Sequence, residues 1–341
     1  MQAWQFHAIG DFLLDDIPQP VPTGQEILVR IRAAGVCGSD IPRVFELGAR
    51  VSPVVLGHEF AGEVVAVGDP ADEELLGRRA AVFPLIPCRR CAACVTGHYV
   101  QCRRNGYLGS RDNGGFAEYC LVPSRWHLLL ADDQIPFSSL AMVEPSSVAL
   151  HALRRAQVGV KDRVLVMGAG PIGLVLGRLA ALSGATVVTA DVVPDKIEFA
   201  RERSLVAVRN EPELVLEALG GEADVVIEGT GAGVALSSAA TITRPGGRIV
   251  LMGNPHRDTT IQRASHSEIL RRELSLLGVW NSTFLGEFDS DWTAILALMA
   301  SHDLEVEDLI TDRLAMPELG PTMRAVHDRE LAPCKMMLEL P

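Results

Sequence analysis

The chain has 341 residues, a length that fits two domains, because single hydrophobic cores rarely grow beyond about 250–300 residues. Apolar residues make up 48% and charged residues 22%, as in ordinary soluble globular proteins. With 31 basic and 43 acidic residues the net charge is −12, which argues against nucleic acid or an anionic membrane as the main partner.

The seven cysteines, an odd number concentrated in one cluster, fit a reducing cytoplasm better than a disulfide framework. The first residues lack the basic and apolar regions of a signal peptide. The uncharged run of residues 164–177 is too short to span a bilayer. We therefore expect a soluble cytoplasmic protein.

Short strand patterns broken by glycine and proline dominate residues 1–150. Pro18, Pro20 and Pro22 forbid helix and confine their segment to loops and edge strands. Such strands predict an open β-barrel-like domain. The predicted strands are 2–7, 26–32, 54–68, 78–84 and 116–123.

The pattern then changes to apolar strands that alternate with amphipathic helices. Near-continuous apolar strands separated by helices predict a doubly wound parallel sheet of the Rossmann type. The predicted strands are 164–167, 186–190, 224–228, 247–253 and 274–280, and the predicted helices are 143–156, 171–182, 194–203, 211–219 and 234–241. A helix at 292–300 and a strand at 335–340 should return to the first domain. We thus expect domains at 1–150 and 151–285, with 286–341 rejoining the first.

A G-x-G-x-x-G motif follows the predicted strand 164–167 and opens the predicted helix 171–182, as a dinucleotide-binding turn requires. The first glycine makes the turn, the second lets the backbone approach a pyrophosphate, and the third packs helix against strand. The pyrophosphate would rest on the helix N-terminus, where free amides favour anions. The alternative is a glycine-rich turn without a ligand. The motif is Gly168-Ala169-Gly170-Pro171-Ile172-Gly173.

An acidic residue, Asp191, lies 23 residues beyond Gly168, at the end of the next predicted strand. We expect its carboxylate to accept hydrogen bonds from the adenosine ribose hydroxyls. A 2′-phosphate would meet this negative charge, so the sequence favours NAD over NADP. Lys196, on the following predicted helix, either reaches the same ribose or lies on a solvated helix face.

Four cysteines fall within fifteen residues, too close for sensible disulfides but suited to one ion, and they are Cys88, Cys91, Cys94 and Cys102. Zinc takes four thiolates at about 2.3 Å in closed tetrahedral sites. Because no ligand position stays open, we predict a structural zinc lobe at 88–102. An iron–sulfur cluster and redox thiols are the alternatives. The bacterial ferredoxin run needs its fourth cysteine four positions on, followed by proline, whereas here the fourth lies eight on.

Several motifs in order resemble the zinc-dependent medium-chain dehydrogenases over essentially the whole chain. They are Cys37-Gly38-Ser39-Asp40, Gly57-His58-Glu59 with Gly62 and Gly68, the four-cysteine lobe, the stretch GGFAEY at 114–119, and the late Rossmann unit. Stretches 37–45, 84–91 and 109–119 further resemble the polyol and sugar-alcohol branch that includes galactitol-1-phosphate 5-dehydrogenase. The resemblance implies a GroES-like catalytic domain joined to the Rossmann domain.

The same resemblance implies that Cys37, His58 and Glu144 bind a catalytic zinc, with three protein ligands leaving a position for water or alcohol. Glu59 is implied either to enter and leave the coordination shell or to hold His58 or an arginine. Ser39 is implied to carry the proton away, its alternative being a turn-capping serine.

One departure affects that proton path, because many relatives have a histidine where this chain has Pro42.

The implied reaction is NAD-dependent oxidation of a secondary alcohol of a polyol or polyol phosphate, with two zinc ions per chain. Alternatives are a threonine- or butanediol-type dehydrogenase and a non-catalytic zinc- and dinucleotide-binding protein.

Arg43 and Arg111 either bind a phosphate group of the substrate or form local salt bridges. Relatives pair through the edge strand, here 274–280, which implies a homodimer or homotetramer.

Overall fold

The computed structural model describes residues 1–255 and 258–341. The chain divides into two compact units, unit 1 with Met1–Glu144 and Thr283–Pro341, and unit 2 with Pro145–Ser282. The predicted domain limits, residues 150 and 285, lie a few residues after the observed boundaries at Glu144 and Ser282. Residue 150 falls inside a continuous helix, Val143–Ala156, so the sequence pattern there could not mark a boundary.

Eighteen strands make up the sheets of the described residues. Unit 1 opens with ten of them, β1 (Gln2–Ala8), β2 (Asp11–Asp16), β3 (Ile27–Gly35), β4 (Val54–Val55), β5 (Glu59–Val67), β6 (Arg79–Val82), β7 (Leu85–Ile86), β8 (Gly106–Tyr107), β9 (Tyr119–Val122) and β10 (Leu128–Ala131). Unit 2 has β11 (Arg163–Met167), β12 (Thr186–Asp191), β13 (Ala207–Arg209), β14 (Ala223–Glu228), β15 (Thr243–Leu251) and β16 (Ser275–Gly278). The chain ends in unit 1 with β17 (Ile310–Leu314) and β18 (Lys335–Glu339).

Eleven α-helices accompany these strands in the same residues. They are α1 (Asp40–Pro42), α2 (Ala92–Val95), α3 (Phe137–Ala141), α4 (Val143–Ala156), α5 (Pro171–Leu182), α6 (Pro194–Glu202), α7 (Pro212–Leu219), α8 (Ala235–Ile242), α9 (Arg263–Arg271), α10 (Asp291–Ala300) and α11 (Leu319–His327). A search of the described residues finds no helix with both the length and the apolar character needed to cross a membrane.

Unit 1 is built on a mainly antiparallel sheet in the order β10-β6-β5-β3-β18-β17, with β9 also paired to β3. A second sheet places β1 between β2 and β4, and β7 pairs with β8. The core between them is apolar and includes fully buried Phe60, Phe116 and Ile31. The C-terminal strand β18 lies inside the main sheet, antiparallel to β3 and parallel to β17.

Unit 2 is a six-stranded sheet in the order β13-β12-β11-β14-β15-β16, and every pairing in it is parallel. The order reverses at β11, the switch point where ligands of such sheets bind beyond the carboxyl ends of the strands. Helix α5 has the predicted bounds, whereas β13 and α9 were not predicted. The doubly wound parallel sheet expected from the sequence is confirmed.

Candidate active site

Three potential metal ligands meet where β3 and β5 pair. Cys37 follows the end of β3, His58 directly precedes β5, and Glu59 is the first residue of β5. The register places Gly35 opposite Glu59, so pairing of the two strands brings these residues together. The donor atoms of the three side chains all lie within 4.8 Å of one another. His58 and Glu59 are buried, and Cys37 is partly buried.

Asp40 orients this group from a fully buried position in α1. Its carboxylate accepts a 3.1 Å hydrogen bond from the backbone N–H of Cys37 and pairs with the Arg43 guanidinium. Its Oδ1 lies 3.6 Å from Nδ1 of His58, a buried ring nitrogen with no hydrogen-bond partner among the described residues. Metal-binding histidines commonly direct their second nitrogen at such a carboxylate. The donor set therefore fits a metal bound through the other nitrogen of His58.

Glu144 lies in the first turn of α4, buried, but it does not belong to the group of three. The Tyr107 hydroxyl donates to Glu144 Oε1 at 3.4 Å, and the Tyr107 ring meets the His58 ring edge-on with centroids 5.8 Å apart. Sequence reasoning did not identify Tyr107. The role of Glu144 as a ligand stays a prediction.

The structure adds a residue to the site that sequence reasoning missed, Lys335 on β18. Its ammonium donates to the carboxylate of Glu59 and, at 3.0 Å, to the carbonyl oxygen of Val36. Lys335 and Glu59 are each 2% exposed. No local pattern could reveal this pair, since its members are 276 positions apart.

Burial and like charges set the proton affinities of the site. Burial raises the pKa of Cys37 to about 12, and the carboxylates of Glu59 and Asp40 add to this effect. Burial likewise raises the pKa of Glu144 to about 7, although the nearby His58 opposes the rise. For Lys335 burial favours the neutral amine, but the negative charges of Glu59 and Cys37 prevail and raise its pKa. A metal ion entering this site must therefore displace a proton from Cys37.

Ser39 lies beside the same thiol, its hydroxyl donating to Cys37 Sγ at 3.3 Å. Ser39 is exposed. Pro42, three residues on, offers neither a donor nor an acceptor in its side chain. A proton on Ser39 thus has direct access to solvent.

The four cysteines of the lobe surround a common centre, with all four sulfurs within 4.8 Å of one another. The Cys91–Cys94 and Cys88–Cys94 sulfur distances are 3.5 and 4.0 Å. Four thiolates at zinc–sulfur distances of about 2.3 Å lie about 3.8 Å apart, so the cluster has the size of a tetrathiolate zinc site. None of the seven cysteines forms a disulfide.

The glycine motif forms a tight turn between β11 and α5. Gly168 has φ of +108°, and a Cβ at Gly173 would overlap the carbonyl oxygen of Gly168. A Cβ at Gly170 would meet nothing within 4 Å, so backbone there is open to a ligand. Pro171 occupies the first position of α5 with Ile172 next to it, so the first-turn amides remain available to an anion.

Asp191 stands at the end of β12 beside this turn. Its Oδ2 accepts the backbone N–H of Ala169 at 2.8 Å, and its Oδ1 accepts those of Val192 and Val193 at 2.7 and 3.0 Å. The carboxylate therefore fixes the glycine turn, in addition to any contact it makes with a ribose. Lys196 is exposed on α6.

Comparison with known proteins shows the family to which the chain belongs. Residues 23–132 match the alcohol dehydrogenase GroES-like domain, and residues 171–301 match the zinc-binding dehydrogenase domain. The chain is 34% identical over 321 residues to galactitol 1-phosphate 5-dehydrogenase of Escherichia coli K12, covering 92% of each chain. It belongs to the zinc-dependent medium-chain dehydrogenases. The expected combination of a GroES-like and a Rossmann domain is confirmed.

Further relatives of this dehydrogenase include L-galactonate-5-dehydrogenase of E. coli K12, 32% identical with 92% of each chain covered. The crystal structure of E. coli galactitol-1-phosphate dehydrogenase superposes with a TM-score of 0.91 at 30% identity, covering 100% of both chains. The chain thus falls among the alcohol and polyol dehydrogenases.

Two other similar structures contain a bound dinucleotide. An alcohol dehydrogenase of E. coli CFT073 was crystallised with NADH (TM-score 0.89, 25% identity, 100% of this chain and 99% of that one). A zinc-binding dehydrogenase of Sinorhizobium meliloti 1021 was bound to NADP (TM-score 0.89, 27% identity, 99% of both chains). Both coenzymes therefore occur within this fold family.

Two glycine-rich segments of this dehydrogenase meet next to His58. The backbone N–H of Gly115 donates to the carbonyl of Gly57 at 2.8 Å, and a Cβ at either Gly109 or Gly114 would overlap that carbonyl. The glycines are needed because two backbones touch there. This contact fixes the position of the residue before His58.

We predict that Gly114→Ala lowers stability by about 1–3 kcal/mol, the usual cost of overpacking, and lowers the zinc content by displacing Gly57 and His58. Thermal unfolding and elemental analysis measure both effects. Gly159→Ala is the control, because open space surrounds a Cβ there. An unchanged midpoint and metal content for Gly114→Ala would contradict the proposed role of this contact.

Proposed function

We propose that this dehydrogenase oxidises a secondary alcohol of a polyol or polyol phosphate to a ketone, with hydride transfer to NAD⁺ to give NADH and release of the hydroxyl proton. The observation that carries the proposal is the buried grouping of Cys37, His58 and Glu59 with their donor atoms within 4.8 Å. Mixed sulfur, nitrogen and oxygen donors suit a catalytic zinc. The names of the most similar relatives, which concern polyol and sugar-acid dehydrogenases, support the substrate class.

The proposed zinc ligands are Cys37, His58 and Glu144, with Glu59 beside them. Zinc bound there would polarise the substrate hydroxyl, while NAD would accept the hydride. The residues of the chain prepare this chemistry: Asp40 lies beside His58 and orients it, and Cys37 would bind the zinc as a thiolate after loss of its proton. A second, structural zinc would occupy the four-cysteine lobe.

Ser39 is the proposed proton acceptor for the substrate hydroxyl. Its hydroxyl lies 3.3 Å from the Cys37 sulfur and is exposed to solvent. The proton can therefore leave through water, which accounts for the lack of a relay histidine at Pro42.

The NAD site is proposed to comprise the turn formed by Gly168, Gly170, Pro171, Ile172 and Gly173, with Asp191 at the adenosine ribose and Lys196 nearby. Three observations support it: the left-handed Gly168, the open face of Gly170 and the location at the sheet's switch point. The carboxylate of Asp191 supports NAD rather than NADP, because a 2′-phosphate would meet its charge.

The internal partners of two arginines favour a second candidate, an unphosphorylated polyol or diol substrate. Arg43 is paired with Asp40, and Arg111 donates to the carbonyl of Asn105 at 2.8 Å. One guanidinium nitrogen of each arginine is therefore already engaged within the protein, which leaves less of the guanidinium for bidentate binding of a phosphate. A threonine- or butanediol-type activity belongs to this second candidate.

The deciding experiment is a substrate panel with NAD, followed through NADH absorbance. We expect turnover of at least one polyol, and comparison of galactitol 1-phosphate with galactitol, sorbitol, 2,3-butanediol and threonine decides between the two candidates. We also expect two zinc ions per chain by elemental analysis. No turnover of any of these compounds would exclude the proposed substrate class.

Cys37→Ala separates an enzyme from a passive zinc- and dinucleotide-binding protein. We expect it to abolish oxidation and leave one zinc per chain while the protein stays folded. Cys120→Ala is the matched control, because that thiol is 1% exposed and belongs to neither metal group. It should cost some stability but retain activity and both ions.

Coenzyme choice gives a further prediction. Asp191→Gly should shift the ratio of kcat/KM for NAD over NADP by at least tenfold toward NADP, or about 1.4 kcal/mol. It should also weaken NAD binding, because Ala169, Val192 and Val193 lose their shared acceptor. The control is Asp195→Asn, an exposed acid in the first turn of α6. An unchanged coenzyme ratio in Asp191→Gly would remove Asp191 from the specificity site.

We also propose a cytoplasmic homodimer or homotetramer that pairs through β16. This strand is at the edge of the parallel sheet, and the nearby Trp280 is 66% exposed. An unpaired strand edge is a natural template for a second copy. Light scattering should give two or four chains, and Trp280→Asp should shift the protein toward monomer. A monomeric wild-type protein would reject this assembly.

A further inference from the structure

The end of strand β13 places a basic residue beside Asp191, the proposed ribose ligand. Arg209 is the last residue of β13, and the register pairs it directly with Asp191, the last residue of β12. The backbone N–H of Asn210 donates to the carbonyl oxygen of Asp191 at 2.9 Å, which joins the two strand ends. Neighbouring strands lie about 4.8 Å apart, and residues paired in register direct their side chains to the same face of a sheet. The side chain of Arg209 therefore leaves the sheet beside that of Asp191.

Arg209 has the exposure and the chemistry needed to contact a ligand at the adenosine ribose. Its side chain is 63% exposed, whereas the carboxylate of Asp191 is held by three backbone N–H groups. NADP differs from NAD by a phosphate on the 2′ oxygen of that ribose, and an arginine near this position accommodates the phosphate in dinucleotide folds. The planar guanidinium matches the geometry of phosphate oxygens.

Glu211 opposes such a contact. Its Oε1 lies 2.9 Å from Nε of Arg209, and its own side chain is 50% exposed. The pair is held locally, because the backbone N–H of Glu211 also donates to the carbonyl oxygen of Arg209 at 2.7 Å. An exposed ion pair of this kind adds little to the stability of a fold. Its effect on a ligand is larger, since the carboxylate occupies the guanidinium and adds a negative charge near the one that Asp191 already carries.

We propose that Arg209 and Glu211 form a second element of coenzyme choice, in which the arginine can bind a 2′-phosphate and the glutamate prevents it. The preference for NAD then depends on two acids, Asp191 at the end of β12 and Glu211 just after β13. The ligand class that the pair excludes is a 2′-phosphorylated adenosine. This inference rests on the proposed NAD site and extends it beyond Asp191.

The test measures binding of NADH and NADPH to the full-length protein by coenzyme fluorescence, which needs no alcohol substrate. Glu211→Gln should tighten NADPH binding about threefold and leave the Kd for NADH unchanged, because only the 2′-phosphate contacts Arg209. The gain should shrink at high salt, since the contact joins exposed charges. The exchange spares the fold, because the side chain of Glu211 makes no capping hydrogen bond at the start of α7.

Two further variants separate this role from a general effect of charge. Glu213→Gln removes another exposed acid, in the first turn of α7, and should leave the ratio of the two Kd values unchanged. Adding Arg209→Gln to Glu211→Gln should abolish the gain, because the guanidinium is then missing. The same comparison in an Asp191→Gly background covers the case in which NADPH binds wild type too weakly to measure, and Glu211→Gln should tighten NADPH there as well.

Three results overturn the inference. These are NADPH binding that Glu211→Gln leaves unchanged in both backgrounds, an equal gain in Glu213→Gln, or a gain that survives the loss of Arg209. A wild-type protein that does not bind NADH would instead reject the proposed NAD site. The wild-type NADH titration therefore distinguishes failure of the inference from failure of the proposal on which it rests.

Discussion

Repulsion among the acidic groups of Cys37, Glu59 and Glu144, crowded into the interior of unit 1, is the constraint on which the rest of the site depends. Burial raises the pKa of Cys37 to about 12 and that of Glu144 to about 7, so both groups resist ionisation unless an opposite charge lies near them. Only opposite charges make such a set tolerable. Lys335 supplies one of them from the C-terminal strand, and the remaining imbalance suits a divalent cation. The crowding of acidic groups at this candidate site thus favours the binding of a divalent cation.

The four-cysteine lobe also gathers several acidic groups, but it stabilises their negative charge differently. Its thiols are partly exposed at Cys88 and Cys91, and the backbone N–H of Arg90 lowers the pKa of Cys88 to about 6. Amides stabilise the thiolate of Cys88 without any buried ammonium, whereas burial raises the pKa of Cys94 to about 12. All the donors come from fifteen neighbouring residues. The lobe is therefore built from one local segment, whereas the candidate site around Cys37 depends on segments from several parts of unit 1.

This difference explains what the sequence could reveal. The lobe, helix α5 and the glycine turn at Gly168 carry local spacing or periodicity. In the structure the four sulfurs of the lobe lie together, α5 has the predicted bounds, and the glycine turn precedes it. Lys335 and Tyr107 carry no such signal, because their importance arises from contacts with residues far away along the chain. Strand β2 was missed since half of Asp11–Asp16 is aspartate, a poor strand former that pairing with β1 overrides.

The location of β18 has a consequence for biosynthesis. A ribosome releases the chain from the N-terminus, and unit 2 is one uninterrupted stretch, Pro145–Ser282, that can complete its sheet while synthesis continues. Unit 1 cannot, because β18 (Lys335–Glu339) is made after unit 2 and pairs with β3 (Ile27–Gly35), which is made before it. Until β18 emerges, Glu59 lacks the ammonium of Lys335. The candidate metal site of unit 1 is therefore completed only after unit 2 has been made.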